Sequence, residues 1–155
     1  MLVKEIVSPE LIACKISASS KKRALEKLSE LLSKNNPTLN QQEIFESFLS
    51  REKLGSTALG HGVALPHGRL KSTDKTSGAF LQLDQGIDFD AEDQQPVDLI
   101  FAMLVPEKST EEHLKLLSQL AEMFSSEAFR EKLRAAENKD ELFKLFENWT
   151  TQSTK

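Results

Sequence analysis

Apolar residues change their spacing several times along this chain, and each change marks an element. Residues 1–10 read as a short lead-in, one helical turn stopped at Ser8-Pro9, with a first strand over Leu11 to Ile16. Behind SASSKK, the residues Ala24, Leu25, Leu28, Leu31 and Leu32 fall at helical spacing. That helix is predicted to be capped by Ser19 or Ser20 and to end before Asn35-Asn36-Pro37. A second stripe, Ile44, Phe45, Phe48 and Leu49, opens at an Asn40–Glu43 pair of capping-box type and runs into Arg51.

The middle of the chain switches to shorter, strand-like periods. Val63-Ala64-Leu65 reads as a buried strand end closed by Pro66, so that His67 emerges where the strand stops. Leu70 to Ser77 is a polar loop, Gly78 to Leu83 alternates as a strand, Asp84-Gln85-Gly86 is a turn, and a short edge strand follows near Ile87 to Phe89. VDLIFAMLV, from Val97 to Val105, is a continuous apolar run between two prolines and predicts a central strand covered on both faces. Ser109 and Glu112 then form a capping box for a third long helix. In it Leu114, Leu117, Ala121 and Phe124 make one stripe that Leu116, Leu120 and Met123 widen, and His113 lies in the first turn. SEAFREKLRAA and NKDELFKLFENW are two further amphipathic helices, the latter opened by Asn138 and Glu141, and TTQSTK is a frayed tail. Strands interleaved with helices make this an α/β chain with helices on both faces of its sheet.

At 155 residues the chain fits one domain with its own core. Its 39% hydrophobic and 28% charged residues are ordinary for a globular protein, and a net charge of −4 argues against nucleic acid as partner. Cys14 is the only cysteine, which rules out an internal disulfide; among Ile12, Ala13 and Ile16 it reads as a buried strand residue suited to a reducing compartment. The N-terminus lacks a signal-peptide core, and no run approaches the ~18 apolar residues of a membrane span. A cytoplasmic protein without membrane insertion is expected.

Candidate chemistry concentrates between Arg51 and Arg69, REKLGSTALGHGVALPHGR. Gly55, Gly60, Gly62 and Gly68 place four of the six glycines there, beside two histidines and the Ser56-Thr57 pair. Three histidines raise the question of a metal, but one cysteine and the lack of HxH or HExxH spacing argue against zinc. Ser56 and Thr57 near histidines suggest a nucleophilic hydrolase, but the chain has no G-x-S-x-G elbow. An anion-handling site uses more of what is present: glycine amides including that of Gly68, the Ser56 and Thr57 hydroxyls, the N-terminus of the Ser109 helix, and the guanidinium of Arg51 or Arg69. A histidine at the centre of such donors can itself accept a phosphoryl group, since a neutral imidazole nitrogen is nucleophilic near pH 7. No metal or cofactor is required, and His67 is the candidate carrier.

REKLGST, GHGVALPHG, VDLIFAMLVP and EEHLKLLSQLA together resemble the EIIA domains of the fructose/mannitol class of the bacterial phosphoenolpyruvate:sugar phosphotransferase system. SASSKKRALEKLSELL and the single-domain length look most like the nitrogen-type regulatory members. The resemblance covers residues 5 to 147 as one domain and implies a mixed sheet flanked by helices. It implies that His67 is the phosphoryl acceptor, His113 the second active-site histidine and Arg51 a charge partner. His61 departs from it, standing where a small polar residue such as asparagine is expected; it reads as a solvated residue near the rim. The implied donor is an HPr-like phosphocarrier of the nitrogen branch, and the implied targets are potassium-transport proteins or sensor kinases. Two alternatives stay open: an EIIA of a sugar-transport chain passing phosphate to an EIIB cysteine, and a binding module that is never phosphorylated. In the carrier readings phosphoryl transfer runs through a phosphohistidine rather than through independent enzymatic turnover.

Overall fold

The computed structural model describes residues 1–108 and 110–149. In chain order these form α1 (Val3–Ile6), a 3-10 turn (Pro9–Leu11), β1 (Ile12–Ile16), α2 (Lys21–Lys34), α3 (Gln41–Glu52), β2 (Ala58–Gly60), β3 (Val63–Ala64), β4 (His67–Leu70), β5 (Ser77–Ile87), β6 (Val97–Pro106), α4 (Thr110–Ser125), α5 (Glu127–Ala135) and α6 (Lys139–Asn148). Side-chain caps start four of the helices. Ser20 accepts from the Arg23 amide at 3.1 Å, Asn40 from Glu43 at 3.0 Å, Ser126 from Phe129 at 3.1 Å and Asn138 from Glu141 at 2.9 Å. The expected Ser109 cap and the tail from residue 150 lie outside the described residues.

The sheet is mixed, with strand order β1-β5-β6-β3-β2 and β4 paired to β6 beside β3. Strands β5 and β6 are antiparallel, while β1 on β5 and both β3 and β4 on β6 are parallel. As the unbroken apolar run predicts, β6 is central and buried on both faces. One face packs on α1, α4, α5 and α6, the other on α2 and α3. The first face holds a cluster of phenylalanines, Phe80, Phe101, Phe124, Phe129 and Phe146, with ring centroids 5.0–6.5 Å apart, mostly edge to face. Phe146 is fully enclosed there, so Phe146→Ala should lower the unfolding free energy by about 3–5 kcal/mol in urea titrations.

Five expectations change. Asp84-Gln85-Gly86 does not reverse the chain: β5 runs on to Ile87, its pairing to β6 slipping between Gln82 and Ile87, so turn-type residues make an irregularity within a strand. No separate edge strand follows. The loop after Arg69 is shorter than expected, because Arg69 and Leu70 pair with Val105 and Pro106. On α4 the buried side is His113, Leu116, Leu120, Met123 and Phe124, while Leu114 and Ala121 face outward. Cys14 is only half-buried; its thiol lies 3.0 Å from Gln82 Oε1, and burial pushes its pKa up.

Candidate functional site

His67 does not hang from a strand end. Pro66 interrupts the edge of the sheet for two residues, and His67 opens β4, which continues along β6 in the register of β3: Val63 opposite Leu99, Ala64 opposite Ile100, His67 opposite Met103. Pro66 has no N–H to give β6, so the ladder lapses there, while its carbonyl still accepts from the Met103 amide at 2.9 Å. The histidine is thus fixed by backbone pairing on its own strand. Alternation along β4 puts Arg69 on the same side as His67, with Gly68 turned the other way, toward α3.

That glycine decides how close α3 can come. A Cβ on Gly68 would lie 2.1 Å from Ser47 Oγ and 3.0 Å from Ser47 Cβ, so any side chain would push α3 off β4. With the helix pressed down, Ser47, Ser50, Arg51 and Leu54 face His67 across a cleft of about 350 Å³ that Arg69 and His113 complete. A cavity of about 410 Å³ between α5 and α6 is larger but is lined by no histidine.

The His67 ring has both nitrogens defined. Nδ1 lies 3.0 Å from the Leu65 carbonyl, which can only accept, so Nδ1 carries the proton. Nε2 accepts from Arg51 Nε–H at 3.1 Å and therefore presents a lone pair to the cleft. Burial lowers the His67 pKa most; the hydrogen bond to the Leu65 carbonyl opposes it, the Arg51 charge lowers it again, and the Glu52 and Arg69 charges make smaller contributions upward and downward. The imidazole is neutral at pH 7.

His113, in the first turn of α4, meets His67 edge to face with ring centroids 5.1 Å apart. It is only 4% exposed, and its Nδ1 finds no hydrogen-bond partner among the described residues. A buried ring nitrogen without a partner is costly unless something else supplies one. Burial, followed by the charges of His67, Arg69 and Arg51, drives its pKa down to about 4.

These depressed pKa values have a signed consequence. Between pH 6.5 and about 4 the unfolded histidines bind protons that the folded ones refuse, so stability falls as the pH drops through that window. With allowance for screening at the cleft mouth, the His113 part is on the order of 1–2 kcal/mol. Urea titrations from pH 7.5 to 5 should show this slope, and His113→Gln should flatten it. The lower limit keeps Glu10 and Asp93, whose carboxyls are held below their ordinary values by backbone hydrogen bonds, out of the comparison.

The structure thus brings His67, His113, Arg51 and Gly68 to one cleft. Ser56 and Thr57 do not line it. The Ser56 hydroxyl donates to the Phe89 carbonyl at 2.7 Å, and the Thr57 hydroxyl donates to the Glu52 carboxylate. His61 is exposed between Gly60 and Gly62 with a left-handed φ of 57°, a conformation that asparagine adopts more readily. Its amide donates to Asp93, and its carbonyl accepts from Arg134. It does not reach the cleft. Sequence reasoning missed Ser47, Ser50 and Leu54, although positions 47, 50, 51 and 54 share one helical face with Arg51, which is the signal that finds them.

Among the described residues no helix is long and apolar enough to cross a membrane. Residues 5–149 match the family model described as "Phosphoenolpyruvate-dependent sugar phosphotransferase system, EIIA 2". The chain is 43% identical over 143 residues to a nitrogen regulatory protein of Pseudomonas aeruginosa, covering 92% of this chain and 93% of that one. It superposes on the nitrogen regulatory protein IIA-Ntr of Neisseria meningitidis with a TM-score of 0.88 and 41% identity, covering 93% and 98% of the two chains. It is also similar, at 25% identity and a TM-score of 0.77 over 92% of this chain and 98% of that one, to Escherichia coli IIAMTL, solved in complex with phosphorylated IIBMTL.

Proposed function

Since this chain belongs to the EIIA type 2 family of the phosphoenolpyruvate-dependent sugar phosphotransferase system, we propose that it is a cytoplasmic phosphocarrier whose His67 accepts a phosphoryl group from an HPr-like protein. The observation that carries this reading is the orientation of one ring: Nδ1–H held by the Leu65 carbonyl, and Nε2 unprotonated on the cleft side, where its lone pair accepts from Arg51.

In the transfer, the Nε2 lone pair attacks phosphorus in line. A new N–P bond forms while the donor's N–P bond breaks, and the donor ring leaves with the electron pair. If each ring keeps its other N–H throughout, no proton changes hands and no general base is needed. Charge spread over three equatorial oxygens makes positioning and electrostatic stabilisation the main catalytic contributions. Arg51 must leave the Nε2 lone pair and donate to phosphoryl oxygens instead. Arg69 adds a second cation and a neutral His113 supplies a ring N–H, whereas the Gly68 amide is taken up by the β4–β6 ladder. Ser56 and Thr57 act from behind, through the bonds they already make.

Leu54 is 84% exposed on the cleft wall and Leu114, beside His113, is 64% exposed. They give a docking partner an apolar anchor inside a polar rim, which suits a transient complex. Close to two negative charges added at His67 would then change which partner fits. Following the nitrogen-type relatives, regulated targets such as potassium-transport proteins or sensor kinases are proposed over a sugar-transport EIIB.

Incubation with phosphoenolpyruvate, the first enzyme of the system and an HPr-like donor tests this. The reading requires acid-labile, base-stable label on the protein and faster labelling from a nitrogen-branch donor than from a sugar-branch one. Rapid discharge to an EIIB cysteine would favour the transport alternative, and no label would leave a binding module.

A further inference from the structure

Building on the phosphocarrier reading, we propose that Glu52, Thr57 and Lys21 form a buried clamp that aims Arg51 at His67, and that Glu52 and Thr57 are positioning residues for phosphoryl transfer.

Arg51 spans two partners. Its Nε–H donates to His67 Nε2 at 3.1 Å and its Nη1 donates to the Gly55 carbonyl at 2.9 Å. The guanidinium therefore sits where that carbonyl lets it sit. Gly55 belongs to the turn that follows α3, and packing does not hold this turn. Lys53, Leu54 and Gly55 are exposed, and a Cβ built on Gly55 would meet nothing within 4 Å.

Two backbone bonds close the turn, from the Leu54 amide to the Arg51 carbonyl and from the Gly55 amide to the Glu52 carbonyl, both at 3.1 Å, and the bonding at its two ends anchors it to the rest of the fold. Glu52, the last residue of α3, is buried, and its carboxylate is fully committed. One oxygen pairs with Lys21 Nζ at 2.9 Å and accepts the Thr57 amide at 3.3 Å, and the other accepts the Thr57 hydroxyl. Lys21, at the start of α2, also lies 3.3 Å from Asp90 and over the Phe89 ring, and the Phe89 carbonyl accepts from Ser56. The five residues after α3 are thereby tied to α2 and to the segment beyond β5. Neither Glu52 nor Thr57 lines the cleft; beyond the direct effect of the Glu52 charge on the His67 pKa, their influence on the reacting nitrogen runs through Gly55 and Arg51. A buried ion pair is weak as a source of stability, and the geometry it imposes is its more evident product.

Thr57→Val keeps the shape and removes the hydroxyl, Thr57→Ser keeps the hydroxyl, and Glu52→Gln keeps an acceptor without the charge. With saturating phosphorylated HPr-like donor, the rate of labelling should fall about 10–100-fold in Thr57→Val and Glu52→Gln, with KM for the donor within about 2-fold. Thr57→Ser should return to within about 3-fold of wild type. In the unphosphorylated protein, the Arg51 Nε–H resonance and the His67 Nε2 nitrogen shift should move in the two impaired variants and stay in place in Thr57→Ser. Lys21→Met, which opens the clamp from its other side, replaces either variant that does not fold. Folded variants with a wild-type rate and an unmoved Arg51 resonance would overturn the clamp, as would a Thr57→Ser protein as slow as Thr57→Val. If wild type itself takes no label, the phosphocarrier reading fails, and the resonance comparison still decides whether the clamp aims Arg51.

Discussion

Replacing His67 by alanine is expected to abolish phosphoryl acceptance while leaving a folded protein. The group is carried covalently on the ring, so no other side chain can substitute by stabilisation alone. His113 is adjacent, but its Nδ1 is buried. The fold should tolerate the change because His67 is half-exposed on an interrupted edge of the sheet, and among the described residues its ring hydrogen-bonds only the Leu65 carbonyl and Arg51. A stability change within about 1 kcal/mol is expected, since no core cavity opens and no cap is lost. Phosphoryl stoichiometry near zero beside an unchanged unfolding midpoint checks both halves. Label retained in His67→Ala would move the acceptor elsewhere, His113 being the first place to look.

Arg51→Ala is the second large effect. This guanidinium already donates to the nitrogen that must attack, and it is placed to follow the charge as that charge moves onto phosphoryl oxygens. Loss of one such preorganised donor costs about 10²–10³ in rate. Arg51→Lys should recover little of it, because an ammonium cannot bond Gly55 and a phosphoryl oxygen with a rigid fork. Single-turnover labelling by a phosphorylated HPr-like donor measures this directly. A loss of less than about 5-fold in Arg51→Ala would mean that Arg69 and His113 already suffice. Binding of the donor should change less than the rate, since Leu54 and Leu114 remain in place.

The helices are the most legible part of this sequence, because amphipathic spacing and capping residues state them twice. Ser20, Asn40 and Asn138 all cap as their spacing suggests. The strands are less so. Pro66 looks like an end, and only the common register of β3 and β4 on β6 shows it to be an interruption. Asp84-Gln85-Gly86 looks like a turn, and only a partner strand alongside makes it part of β5.

At the site, the glycine-rich stretch points to His67 and the family resemblance adds His113 and Arg51, and the fold brings the three together. The burial of His113 is not legible, since a first-turn histidine reads as solvated until the sheet closes over it. His113→Ala should therefore cost packing as well as transfer. The hydroxyls of Ser56 and Thr57 suggest anion donors by type, and nothing in the one-dimensional pattern announces that Glu52 and the Phe89 carbonyl engage them. Buried partnerships between distant segments are the information that periodicity lacks.

A single nitrogen carries the account, so the most direct measurement is the site of attachment in the phosphorylated protein, read by phosphorus–nitrogen coupling in ¹⁵N-histidine-labelled material. Coupling of phosphorus to Nε2 of His67, with Nδ1 still protonated against the Leu65 carbonyl, is the expected result. Attachment at Nδ1, at His61 or His113, or at a hydroxyl would contradict it.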